Sequence, residues 1–290
     1  MPSVYDIYEF LNSIAPVEMK ADFDNVGLLV GCRDADVSRI LVSLDITDDV
    51  ISEALDIGAS LIVAHHPVFF SLRSVTDEHP EGQKVVRLLS GGIAAICMHT
   101  NLDASRGGVN DVLAGVAGIQ CRESGDDGIT SRESGDGGIT SRESGDGGAM
   151  PLSGDGLSGG GEAFPYGRFG YLKKPCSMPE YLEMLKGALK TDGLRFHSSG
   201  REVHKVAVVG GSGGDMLHLA LGHGCDTFLT ADVKYNVFIQ AKEAGINLID
   251  GDHFCTENVV TGVVAEKLRL AFPGVDVFVS ERHVQIAKFY

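Results

Sequence analysis

The chain has no tryptophan, few basic residues and no long apolar run. The last two absences exclude something. No apolar stretch reaches the ~20 residues of a membrane-spanning helix, so no membrane partner is expected. The N-terminus, MPSVYDIYEFL, carries acids where a secretory signal needs bases, and the expected location is cytoplasmic. Lys and Arg number 24 against 40 Asp and Glu, a formal net charge of −16. That excludes a general nucleic-acid surface, which would need a basic face to grip phosphates. It leaves room for a small anion, because bound cations reverse a local field. C-x-x-C pairs are also missing. Cys32, Cys97, Cys121, Cys176, Cys225 and Cys255 are scattered, as reduced and mostly buried thiols would be rather than a disulfide framework. The missing tryptophan excludes nothing by itself.

What is present is 290 residues, 43% of them hydrophobic, enough to bury one large core or two modest ones. One stretch stands apart. From Arg122 the chain reads RESGDDGITS, RESGDGGITS and RESGDGG, and 13 of its 38 glycines fall between Cys121 and Gly161. Apolar residues are too few there to offset the entropy of ordering, so an acidic, Gly-rich, disordered linker is expected over 121–163. A calcium-binding β-roll would need a nine-residue period with regular apolar positions, and the period here is ten.

The flanks read as α/β. Segments 39–47, 60–66 and 94–100 are strand-like runs rich in Val, Ile and Leu, separated by helical patterns near 48–56, 82–89 and 108–117. After the linker, strands are expected at 168–172, 194–198, 204–210, 226–232, 246–252 and 275–280. Helices fit 179–190, 214–223, 234–244 and 256–270. Alternating strands and helices imply largely parallel sheets. The expected division is a first α/β domain over 1–120 plus 251–290 and a second over 164–250.

Ligands of such sheets gather beyond the C-terminal strand ends, and ionisable residues collect there. Segment 60–64 ends in His65-His66, 94–98 leads to His99 and Asp103, and 246–250 leads to His253 and Glu257. Asp45 and Asp232 close two further strands. Pro67 removes a ladder donor and biases His66 to an extended conformation, so the histidine pair is read as leaving the sheet. His253 and Glu257, four apart, share a face if that turn is helical. Imidazoles with carboxylates suit Zn, Fe, Mn or Ni, and also Mg with water. Singly, each residue has an ordinary structural reading, such as a hydrogen-bonded core histidine or a helix-entry glutamate. Five of them at corresponding strand ends point to a metal site. VVGGSGGDM (208–216) is either a phosphate-holding turn or a tight strand–helix turn; it lacks the P-loop lysine and the G-x-G-x-x-G order.

DNVGLLVG (24–31), SLDIT (43–47), IVAHHPVFF (62–70), MHTNLDASRGGVNDVLA (98–114), FLTADVKYN (228–236) and LIDGDHFCTE (248–257) together resemble the NIF-three-like family. Its members are also called GTP cyclohydrolase I type 2 homologues or dinuclear metal-centre proteins. The resemblance implies two α/β domains facing a metal-containing cleft, two divalent ions and a homohexameric ring. It implies His65, His66, Asp103, His253 and Glu257 as ligands, with Glu257 between the ions. His99 and Asp232 would support ligands or transfer protons. Asn236 and Phe23 depart from residues common in the family, histidine and tryptophan, and the latter reads as a packing change. Two functions follow. One is a metal-dependent hydrolase of a nucleotide or related small molecule. The other is a non-catalytic metal-containing assembly that binds a partner or regulator.

Overall fold

Val4, Ile7 and Leu11 recur at helical spacing and are fully buried, and a capping box starts their helix: Ser3 and Asp6 exchange side-chain and backbone hydrogen bonds. This helix, α1 (Val4–Ile14), and the strand β1 (Gly27–Val30) are elements the apolar pattern did not bring out. The computed structural model describes residues 1–120, 150–151 and 166–290. The repeats from Arg122, and with them the linker and β-roll readings, lie outside the described residues. Met150–Pro151, inside the expected linker span, pair antiparallel with Phe169 and Arg168.

The remaining strands are β2 (Arg39–Ser43), β3 (Leu61–Ala64), β4 (Ala94–Cys97), β5 (Ile119–Gln120), β6 (Met150–Pro151) and β7 (Arg168–Cys176). They continue as β8 (Arg195–His197), β9 (Val203–Val208), β10 (Thr227–Thr230), β11 (Asn247–Asp250) and β12 (Asp276–Val279). The helices are α2 (Asp48–Asp56), α3 (Pro80–Ser90), α4 (Thr100–Ala104), α5 (Val109–Val116) and α6 (Met178–Leu189). After them come α7 (Leu217–Gly222), α8 (Tyr235–Ala244), α9 (His253–Glu257) and α10 (Val259–Ala271).

Two sheets result. The first has the order β1-β4-β3-β2-β12, parallel except for β1. The second runs β5-β7-β9-β10-β11-β8, with β6 beside β7, and its centre, β9-β10-β11, is parallel. Alternation along each strand feeds two faces. Ile40, Val42, Leu61, Val63 and Ile96 pack under α1 and α10, while Leu41, Ile62 and Ala95 pack with Val50, Ile51 and Leu88 of α2 and α3. Likewise Val206, Val208, Leu229 and Ile249 face Tyr181 and Leu185 of α6, and Ala207, Phe228 and Leu248 face α7 and α8. Helix α5 joins the two halves. Its Val109 enters the first sheet's core and its Leu113 and Ala114 enter the second's.

Arg168 on β7 adds a polar tie. Arg168 is 3% exposed, and its guanidinium pairs with Asp111 of α5 and donates to the Ala104 and Ser105 carbonyls at the end of α4. Removing one member of a buried ion pair strands the other. Arg168→Met is therefore expected to cost about 3 kcal/mol in urea unfolding; a loss below about 0.5 kcal/mol would show that the tie is not needed. No helix of the described residues is long and apolar enough to cross a membrane.

Candidate metal centre

The register of the first sheet sets the site. Ser43, Ala64 and Cys97 are consecutive partners across β2, β3 and β4, so Asp45, His65-His66 and His99 emerge at one edge. The strands stop earlier than the apolar runs suggest. Both backbone N–H groups of the histidine pair donate to Leu44 O, at 3.1 and 2.9 Å, which ends the ladder at Ala64 and turns the chain. In the second sheet Thr230 and Asp250 are partners, and their strands lead to Asp232 and to His253. Helix α9 begins at His253, three residues earlier than the expected helix, so His253 and Glu257 do share a face. Asp103 sits on the one-turn helix α4.

Each of four imidazoles has its Nδ1 engaged. His65 Nδ1 lies 2.8 Å from Met98 O, His66 Nδ1 2.8 Å from Asp45 Oδ1, His99 Nδ1 2.8 Å from Asp24 Oδ1 and His253 Nδ1 2.7 Å from Asp232 Oδ2. Carbonyls and carboxylates only accept, so every ring donates from Nδ1 and, when neutral, keeps its lone pair on Nε2. Metal-binding histidines are oriented in this way.

The other ring edges converge on Glu257. Its Oε2 is 3.0 Å from both His66 Nε2 and His253 Nε2 and 3.9 Å from His65 Nε2. None of these contacts has hydrogen-bond geometry: His65 Nε2, Asp103 Oδ1 and Glu257 Oε2 are buried polar atoms with no hydrogen-bond partner among the described residues. Buried polar groups are rarely left so. Three in one cluster fit a cation as the shared partner. Among the described residues, three groups could hold a metal ion: His65, His66 and His99; His66, His253 and Glu257; and His65, Asp103 and Glu257. The five ligands implied by the sequence resemblance are thus together, and Glu257 belongs to two groups. His99 joins His65 and His66, and Asp232 holds His253.

Protonation responds to the same crowding. Burial drives His65 down to about 3. His66 rises to about 10: burial resists its charge, but the Asp45 hydrogen bond and the Glu257 carboxylate outweigh it. The carboxylates on its two sides, Glu257 first and then Asp232, lift His253 to about 9 against its burial. Burial, reinforced by the charge of Glu257, raises Asp103 well above the carboxylate range. Glu257 is held below that range because His253 and His66 overcome its burial. The cluster attracts positive charge, as protons or as metal.

Backbone strain gathers here too. Of the three non-glycine residues with positive φ among the described residues, Asp232 (51°) and Asp252 (71°) flank the centre. Asp252 caps α9 through Cys255 N, and Asp232 presents its carboxylate to His253. The glycine-rich turn has a structural task. Gly210, Gly211 and Gly213 donate their N–H groups to Asn110, Thr256 and Thr230, which leaves those amides no role in cradling a phosphate. Gly211 has φ +62°, and a Cβ there would lie 2.0 Å from Glu257 Oε1.

Sequence reasoning missed Asp24 as the partner of His99 and His283 as the partner of Asp45. Phe23, the position where the family often has tryptophan, is 72% exposed. It lines a cleft of about 360 Å³ with Tyr166, Ser212, His99, Asp103 and Glu257. A second cleft, of about 480 Å³, opens on Asp45, His66, Asp232 and His253 and is walled by C-terminal residues.

The profile of Duf34/NIF3 (NGG1p interacting factor 3) matches residues 2–285. The chain belongs to this family. A Duf34/NIF3 relative from Clostridium perfringens, named GTP cyclohydrolase 1 type 2 homolog, is 33% identical over 91% of this chain and 90% of its own. A protein of the same name from Clostridium acetobutylicum is 30% identical over 99% and 98%. Among solved structures, a Bacillus cereus protein related to NIF3 superposes with a TM-score of 0.81 at 23% identity, over 100% of this chain and 99% of its own. A Staphylococcus aureus hypothetical protein gives 0.80 at 23%, over 99% of each. The two-sheet α/β architecture is thus the Duf34/NIF3 fold.

The approach of Gly211 to Glu257 gives a test. Gly211→Ala is expected to displace the carboxylate and lower bound metal after dialysis against a fixed free-metal concentration. Gly92→Ala carries a similar φ (+67°) with open space around its Cβ. It is expected to cost about 1 kcal/mol of stability with metal content unchanged. Equal metal content in both variants would contradict the assignment of Gly211 to the site.

Proposed function

We propose that this Duf34/NIF3 chain is a metal-dependent hydrolase with a two-ion centre that acts on a nucleotide or a related small molecule. The observation that carries the reading is the set of oriented imidazoles around a buried carboxylate oxygen that has no hydrogen bond. His65, His66 and His253 would hold the ions through Nε2, and Asp103 and Glu257 through their carboxylates, with Glu257 common to both. Ions of the Zn, Fe, Mn or Ni class suit these donors; when bound they lower the pKa of a water and polarise the substrate.

The chain's own groups do the rest. Asp24 fixes His99 beside the 360 Å³ cleft, where its ring can carry a proton to or from the substrate. Asp232 is engaged by His253 Nδ1, so its task is to orient that ring. Phe23 offers an exposed aromatic face on which a planar base can stack. The relatives' name, GTP cyclohydrolase 1 type 2 homolog, agrees with a nucleotide substrate. The ring of six chains implied by the family resemblance, and the expected cytoplasmic location, belong to the same proposal.

Metal-loaded protein would be tested against a panel of nucleotides and phosphoesters. Turnover is expected in the parent and is expected to vanish in His65→Ala and His253→Ala, whose far-UV circular dichroism stays native. Asp232→Asn is expected to lose about 10–100-fold in activity or metal affinity. Turnover that survives in the alanine variants would contradict the proposal. A loaded parent that consumes nothing across the panel would favour the non-catalytic assembly.

A further inference from the structure

Beyond β12 the chain runs as a strap with no regular secondary structure, and it is strongly anchored. Glu53 of α2 is 8% exposed, and all three donors to its carboxylate come from the strap: Ser280 Oγ at 2.5 Å, Glu281 N at 2.9 Å and Arg282 N at 3.2 Å. Arg282 also pairs with Asp56 at 2.5 Å. Further on, Phe289 lies so close to Gly193 that a Cβ there would come within 2.7 Å of its ring. The strap therefore leaves the first sheet and crosses to the second, walling the 480 Å³ cleft.

Between these anchors His283 turns inward. Its side chain is 6% exposed, its backbone N–H donates to Ser280 Oγ at 3.1 Å, and its ring meets Phe254 edge-on at 5.0 Å. Its Nε2 lies 2.8 Å from Asp45 Oδ2, while the other oxygen of that carboxylate takes His66 Nδ1 at 2.8 Å. Asp45 is 40% exposed and would otherwise be free to rotate into water. A second imidazole on its far oxygen fixes the plane in which His66 is held.

We infer that the C-terminal strap is part of the metal centre, with His283 acting through Asp45 as a positioning residue for His66. This rests on the metal reading above. A carboxylate held at both oxygens presents His66 in one orientation; a carboxylate held at one does not. Partners that orient a ligand in this way are worth about 10–100-fold in metal affinity, and His283, one contact further out, is expected to sit near the lower end.

The test is a cobalt(II) titration of the metal-free full chain, followed by its visible spectrum, in the parent, His283→Ala and His283→Gln, with unfolding midpoints measured on the metal-free forms. Gln can place a donor near the position of Nε2. Expected are cobalt uptake by the parent, about tenfold weaker binding and an altered spectrum for His283→Ala, and substantial recovery of both in His283→Gln. Parent-like affinity and spectrum in His283→Ala would overturn the inference while leaving the metal reading intact. Equal loss in both variants would also overturn it, because it would assign the effect to packing on Phe254. A parent that takes up no cobalt would remove the metal reading and this inference together.

Discussion

The structure depends on one buried carboxylate. Glu257 is almost fully enclosed, and its Oε2 has three imidazole nitrogens within 3.9 Å but no hydrogen bond. Burying an isolated carboxylate costs on the order of several kcal/mol, so such a group persists where positive charge compensates it. Protons on His66 and His253 can supply that charge, and so can metal ions. A cation would in addition satisfy Asp103 Oδ1 and His65 Nε2, which lie 3.5 Å apart. Much of the surrounding architecture serves to hold these groups at one place.

That holding draws on both sheets. The first delivers Asp45, the histidine pair and His99 from adjacent parallel strands, so their spacing is set by a hydrogen-bonded register rather than by loop conformation. The second delivers Asp232 and α9 in the same way. Strain and close approach are accepted at the junction: positive φ at Asp232 and Asp252, and a glycine turn pressed against Glu257. Helix α5 and Arg168 then fix the two sheets to each other. An ion held by these groups would therefore depend on the relation between the halves as well as on the side chains that face it.

Local signals made part of this legible before the structure. His65-His66 followed by Pro67 marked the end of a buried strand, and the i, i+4 pair His253 and Glu257 marked a helix entry. Both depend on residues adjacent in sequence. The α/β alternation was legible for the same reason, while α1 went unread although Ser3 and Asp6 form its capping box. Strand ends were read too long because apolar runs continue past the ladder into Leu44 and Met98, which are buried without being in a sheet. The supports of the site were not legible. Asp24 reaches His99 across 75 residues, and His283 reaches Asp45 across 238. No local pattern encodes such pairs, because they exist only once the sheets place the strand ends together. The glycine turn by its sequence fits two roles, and the packed position of Glu257 shows why Gly211 lacks a side chain.

The central claim is that these residues form a two-ion site. The most direct measurement is elemental analysis of metal per chain, on untagged protein purified without chelator, beside a His65→Ala/His253→Ala double variant. The account predicts close to two ions per chain in the parent and a clear loss in the variant. No metal in either protein, even after reloading, would contradict it and would leave Glu257 compensated by the protons of His66 and His253 in a purely structural cluster.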